Sequence, residues 1–283
     1  MNKFKNLIFV NFPYHLVENS PWPFTTSLSV FSLLLGFIVS AQNPYHITND
    51  ITKTNNCYIL IIISFISLII SVYNWWSDVI IEGSKRGEHT LKVQKNLTLG
   101  FILFVISEVM IFASFFFSYF YVSLIPDPKS FGGLWPPMGI DTMDYKSVPL
   151  LNTAILFFSG IAITATHNYL INKNKKLAIF YLFITISLGL LFVYFQYFEY
   201  FNALFSISDS VFGSNFFLIT GFHGIHVIIG VIFLIVTLFR LIFNHFYFNH
   251  FLGFNFSSIY YHFVDVVWIF VFAVLYCWGS GNF

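Results

Sequence analysis

Long apolar runs alternate with short polar breaks along the whole chain, each run ending at a charge, a proline or an asparagine. A helix needs about 20 apolar residues to cross roughly 30 Å of hydrocarbon. On that rule the pattern predicts seven spanning helices, over about 24–41, 57–77, 98–123, 149–172, 177–200, 212–243 and 254–278. The first is short and preceded by Pro21-Trp22-Pro23, and the sixth is long enough to tilt or protrude. Only Asn172 to Lys176 separate the fourth from the fifth, which makes those two antiparallel neighbours. The break after the third, IPDPKSFGGLWPPMGIDTMDYKSVP, is long and rich in Pro and Gly, and reads as an ordered cap or contact surface. With no internal repeat, residues 1–283 read as a single polytopic membrane domain of all-α class.

Composition agrees: 57% of residues are hydrophobic, 9% are charged and the mean hydropathy is +0.77. A soluble domain carries about a quarter charged residues. A net charge of +1 without a basic run offers no footprint for nucleic acid. With the N-terminus inside, that side holds Lys3, Lys5, Lys85, Arg86, Lys92, Lys95, Lys173, Lys175, Lys176 and Arg240, against Lys53, Lys129 and Lys146 outside. The positive-inside rule then places the N-terminus inside and, after seven crossings, the C-terminus outside.

The 40 phenylalanines, with abundant Ile, Asn, Tyr and Lys, suit lipid-facing positions and AT-rich codons, a sign of an organellar or AT-rich genome. Cys57 and Cys277 match no metal or redox spacing and read as filling apolar helix ends, although the topology puts both near the outer surface. Asn96-Leu97-Thr98 and Asn255-Phe256-Ser257 fit the glycosylation pattern but fall at inner ends of spans. The start, MNKFKNLIFVNFPYH, has too short an apolar run for a signal peptide.

Against this background the intramembrane polar groups stand out. Glu108 is the one charged residue between Lys95 and Asp127, about ten residues or roughly 15 Å from the inner end of its helix, near the midplane. An ionisable residue at that depth is a functional candidate by default, with a partner to be found. His223 and Asp265 lie at similar depths. His223 and His226 are three apart and share a helical face, as do His262 and Asp265, so these four are the candidate partners of Glu108. Gly221, Gly224 and Gly230 admit a close neighbour. A His-acid hydrogen-bond network inside the bundle is the simplest account; a structural role for Glu108, as a neutral acid bonded to a neighbouring helix, is its rival. Metal or haem ligation by His-x-x-His is disfavoured, because no facing helices carry repeated histidines. The inner stretch NWWSDVIIEGSKRGEHTLKVQKN reads as a loop, with Trp75 and Trp76 in the headgroup zone and His89, Arg86, Lys92 and, later in the chain, Arg240 able to meet phosphates. Glu199 reads as an interfacial polar group near the outer end of the fifth helix.

Eight stretches in order make a specific likeness: SPWP at 20–23, WWSDVIIEG at 75–83, HTLKVQK at 89–95, ISEVMIF at 106–112, GGLWPPMGI at 132–140, VPLLNT at 148–153, TGFHGIHVIIG at 220–230 and HFVDVVW at 262–268. Through them the chain resembles, over nearly its full length, subunit III of the haem-copper cytochrome c oxidases in its seven-helix mitochondrial form. The resemblance implies a core subunit with no catalytic, haem or copper centre of its own, in which helices 1 and 2 are separated from helices 3–7 by a V-shaped cleft filled with phospholipid. It implies direct packing on the catalytic subunit I, a complex with subunit II and supernumerary subunits, and haem a and copper in the partner subunits. The expected setting is the inner mitochondrial membrane, with the N-terminus in the matrix. Glu108 matches the family's buried acid on helix 3, and Trp76, Glu82, His89 and Arg240 match positions near lipid headgroups. The chain carries Ser77 and Ile81 where mitochondrial members often have arginines, and an extended first outer loop, QNPYHITNDITKTNN.

The function so implied is to stabilise subunit I and support proton uptake while the complex, a proton-translocating oxidoreductase, reduces oxygen to water. Subunit III of a quinol oxidase is the near rival; those subunits usually lack the first two helices. A proton-coupled transporter is the rival of another class, disfavoured by the missing repeats.

Overall fold

In the computed structural model residues 14–42, 51–126, 133–246 and 251–280 are described. Among these residues seven helices long and apolar enough to cross a membrane follow one another: α1 (Trp22–Gln42), α2 (Ile51–Ile81), α3 (Leu91–Leu124), α4 (Val148–Ile171), α5 (Lys175–Phe201), α6 (Val211–Ile242) and α7 (Leu252–Val271). Among the described residues there is no strand. Two of the helices end in wider π-helical turns, α2 through Glu82–Arg86 and α7 through Phe272–Trp278. The chain divides into two compact units, Met1–Asn96 and Leu97–Phe283.

The first unit is a helical hairpin with a short polar extension. Pro23 stands in the first turn of α1, where no intrahelical N–H is required. The preceding Trp22 donates its indole N–H to the Asp78 carboxylate of α2 at 2.6 Å. Further along, the α1–α2 seam is built from small residues: Ser29 and Ser67 are hydrogen-bonded at 2.8 Å, and a Cβ on Gly36 would stand 2.7 Å from Ile61 Cγ1. Lipid offers apolar side chains as good a home as a neighbouring helix does, so close approach and interhelical hydrogen bonds hold such a seam. The π-turn then stops at Gly87, whose φ of 66° belongs to the left-handed region that glycine enters without strain. Thr90 starts α3 by accepting the Val93 N–H.

These ends differ from the boundaries read from the chain. The stretch after Tyr73 is helical through Arg86, and only residues 87–90 separate it from α3, which starts at Leu91 instead of near residue 98. Charges such as Asp78 and Lys92 end an apolar run without ending the helix.

In the second unit α4 and α5 run antiparallel through a tight turn in which Lys173 adopts φ 59° and Asn174 caps α5 by accepting the Leu177 N–H. Ser210 caps α6 in the same way through Gly213 N–H. Lys175, at the start of α5, reaches the last turn of α6 and donates to the Ile242 carbonyl at 3.0 Å, where the helix dipole favours a cation. The core lies among α4 to α7, around Ile163, Leu182, Phe192, Ile219, Tyr261 and Trp268, all at most 1% exposed. Several of its polar groups are paired across helices: Trp268 Nε1 donates to Thr153 Oγ1 at 3.0 Å, Tyr261 OH to Ser159 Oγ at 3.2 Å and Tyr200 OH to Thr220 Oγ1 at 2.6 Å. Helix α3 joins this group mainly through rings: Phe101 stacks on Phe256 at 4.5 Å between centroids, Phe104 on Tyr260 at 6.3 Å, and Phe112 meets His226 edge-on at 5.1 Å. From the segment before α4, Trp135 packs edge-on against Tyr119 and Phe212 and bonds to Tyr119 OH. The Trp135–Pro136 peptide is cis. Part of that segment, 127–132, lies outside the described residues.

Candidate functional site

Glu108 of α3 and His226 of α6 meet in the interior of the second unit, Oε2 to Nε2 at 2.9 Å, with 16% and 11% of the two side chains exposed. The other imidazole nitrogen decides what this contact means. His226 Nδ1 stands 2.7 Å from the Phe222 carbonyl, which can only accept, so Nδ1 carries a hydrogen and donates it. With Nδ1 protonated, the Glu108–His226 link holds a single proton. If the ring is neutral, the Glu108 carboxyl carries that proton and donates it to Nε2; if the proton moves to Nε2, a carboxylate faces an imidazolium. Either way the pair as a whole is neutral, which is the inexpensive condition for a buried acid in a membrane. Phe112 edge-on and Tyr260 stacked at 6.3 Å bracket the ring and fix its plane.

The other candidate partners are placed elsewhere. His223 is 1% exposed and neither ring nitrogen has a hydrogen-bond partner; it is tilted on Trp268 at 5.2 Å and edge-on to Phe192 at 5.8 Å. Asp265 belongs with His262 of its own helix, Oδ2 to Nδ1 at 3.9 Å, and packs where a Cβ on Gly160 of α4 would come to 2.9 Å. His262 Nε2 is 3.5 Å from Thr164 Oγ1. The single network expected from the chain is therefore two acid–histidine pairs, one bridging α3 and α6 and one within α7.

Of the residues read as lipid contacts, Trp75, Trp76, Glu82 and His89 fall in the first unit and Arg240 in the second. Trp75 and Trp76 are exposed, at 39% and 60%. Arg240 ends α6 with its guanidinium 4.4 Å from the Phe246 ring centroid, close over Gly253. Glu82 faces His15, Oε2 to Nε2 at 3.5 Å, and His89 fits where Gly83 leaves room, since a Cβ there would be 2.7 Å from His89 Nδ1.

Two features escape a reading of the chain. Glu199, read as interfacial, is only 6% exposed and neither carboxylate oxygen meets hydrogen-bond geometry. It lines a cavity of about 260 Å³ with Asp141, Asp144 and Asn202, because the segment before α4 folds over the end of α5. The second is the group formed by His15, Glu82 and Glu88, whose members lie too far apart in sequence for any spacing rule. Cys277 is a free thiol, and the side chain of Cys57 lies outside the described ones.

The family model for cytochrome c oxidase subunit III matches residues 12–280. This chain belongs to the cytochrome c oxidase subunit III family. The cytochrome c oxidase subunit 3 of Dugong dugon is 46% identical over 267 residues, covering 94% of this chain and 97% of that protein. The proteins of the same name from Ornithorhynchus anatinus and Canis lupus familiaris match to the same extent. The subunit III match covers all seven helices, so Glu108, His226 and both helical units lie within the family's own fold.

Proposed function

We propose that this chain is a core subunit of cytochrome c oxidase in the inner mitochondrial membrane, with no redox centre of its own. It packs against subunit I, alongside subunit II and the supernumerary subunits, and haem a and copper reside in those partners. Its first 96 residues favour the cytochrome c enzyme over a quinol oxidase, whose subunits usually lack these two helices. The N-terminus faces the matrix, a reading that the excess of basic residues on that side supports.

The observation that carries the mechanism is the one-proton link between Glu108 and His226. A neutral pair that can move its proton by one hydrogen bond works as a relay: a proton entering at one member is matched by one leaving at the other, so no net charge is left facing lipid. In this role it supports proton uptake into subunit I from the inner side during oxygen reduction. Phospholipids complete the subunit: Trp75 and Trp76 sit at headgroup depth, His89 and Arg240 are near phosphates, and Glu82 is near the same zone.

Glu108→Gln tests the reading in the assembled complex. Assembly and haem content stay at wild-type level, while oxygen consumption becomes limited by proton uptake and falls more steeply with rising pH than in the wild type. Loss of subunit III from the purified complex would instead assign Glu108 a structural role.

A further inference from the structure

The end of α2 gathers three side chains, of which the oxidase role uses only Glu82, as a neighbour of lipid headgroups. His15 Nδ1 is 3.0 Å from Glu88 Oε2, and His15 Nε2 is 3.5 Å from Glu82 Oε2. One ligand atom from each residue can be chosen so that all three lie within 4.8 Å of one another. The histidine is 91% buried by side-chain area (9% exposed), and its Nε2 is buried without a hydrogen-bond partner; Glu88 Oε2 is likewise buried and unpaired. His15 Nδ1 is thus held against Glu88, while its Nε2 and Glu88 Oε2 keep unmet hydrogen-bonding capacity.

The local backbone explains why they converge. The π-turn widens the end of α2, Gly87 reverses the chain, and the Glu88 N–H bonds back to the Glu82 carbonyl at 3.1 Å, so two carboxylates six residues apart face the same side. Arg86 pairs with Glu18 at 3.5 Å, which anchors the segment carrying His15 to the same turn. With the imidazole neutral, the three groups carry a charge of −2.

We propose that His15, Glu82 and Glu88 form a binding site for a divalent cation of the zinc class. One imidazole nitrogen and two carboxylates are a normal three-residue ligand set for zinc, leaving a fourth position for water. Ligands of one tetrahedral zinc lie about 3.3–3.5 Å apart at bond lengths near 2.0–2.1 Å; a histidine gives one nitrogen to one ion, so only one of the two distances to His15 enters the site, and the three ligand atoms, within 4.8 Å of one another, draw in on the ion when it binds. The ion neutralises the two carboxylates and ties the chain before α1 to the end of α2. Two acids make the same place unfavourable for a phosphate.

The test uses the purified oxidase complex, stripped with a chelator and re-equilibrated with zinc chloride. Wild-type complex takes up one zinc ion per complex more than Glu88→Gln or Glu82→Gln complexes in which subunit III is present at wild-type level. Zinc also slows proteolytic cleavage near residue 15 about tenfold in the wild type and leaves the variants unchanged. Equal zinc uptake in wild type and variants overturns the site. Should the variants lose subunit III, zinc-edge X-ray absorption on the added ion in the wild type decides: one imidazole with carboxylate oxygens supports the assignment, and a fully hydrated or sulfur-bound ion overturns it.

Discussion

Trp22 and Asp78 join the two sequence landmarks of the first unit, the indole N–H of SPWP reaching the carboxylate of WWSDVIIEG across 2.6 Å. A hydrogen bond to a charged group contributes about 1.5–3 kcal/mol, less where water competes. Trp22→Phe and Asp78→Asn are each expected to loosen the α1–α2 hairpin by roughly 1 kcal/mol, and the double variant by little more than either. Hydrogen exchange of the α1 amides in the intact complex measures this; fully additive effects would mean that the two residues act separately.

Glu108 and His226 should behave as one unit. Removing only the histidine, as in His226→Phe, leaves a buried acid without its proton partner, and the heat stability of subunit III in the complex falls by about 2–4 kcal/mol. The double variant Glu108→Gln with His226→Phe recovers part of that loss, because no unpaired acid remains. Infrared difference spectra of the wild type during turnover should contain a carboxyl band that Glu108→Gln removes.

Gly36 is held to its identity by Ile61. An alanine Cβ at 36 would stand 2.7 Å from Ile61 Cγ1, so the isoleucine must shift, at a cost of about 1–3 kcal/mol to the hairpin. Gly36→Ala should be rescued by Ile61→Val or Ile61→Ala; thermal dissociation of subunit III reports both. A Gly36→Ala subunit as stable as the wild type would contradict the close approach.

Asp209 gives a pH dependence outside the spans. The Ser206 hydroxyl and then the Ser206 backbone N–H donate to its carboxylate, and together they hold its pKa below the ordinary value. A lowered folded pKa adds stability that is complete above the unfolded value, near 3.9, and is lost as pH falls through the folded one. Amide protection in the turn 206–210, corrected for intrinsic exchange, should therefore fall as the pH drops below about 4. In Asp209→Asn that acid-side decline disappears.

The helices are legible in the chain because each apolar run is long enough to span and each break is polar. Their ends are less so, since a helix continues past a charge that finds a partner: Asp78 has Trp22, and α2 runs on beyond it. The partner of Glu108 is similarly underdetermined. His223 and His226 are both within reach by spacing, but three residues fall 60° short of a full turn, which aims His223 at Phe192 and Trp268 and leaves His226 for α3. Glu199 is buried by a segment distant in sequence, and the His15 group is assembled by a π-turn that no periodicity announces.

The stacks of Phe101 on Phe256 and Phe104 on Tyr260 hold α3 at a set distance from α7. They act as shims. Tyr260 also stacks on the His226 ring of α6 at 6.3 Å, so trimming Phe104 would disturb the packing around the Glu108–His226 contact without touching either of its members.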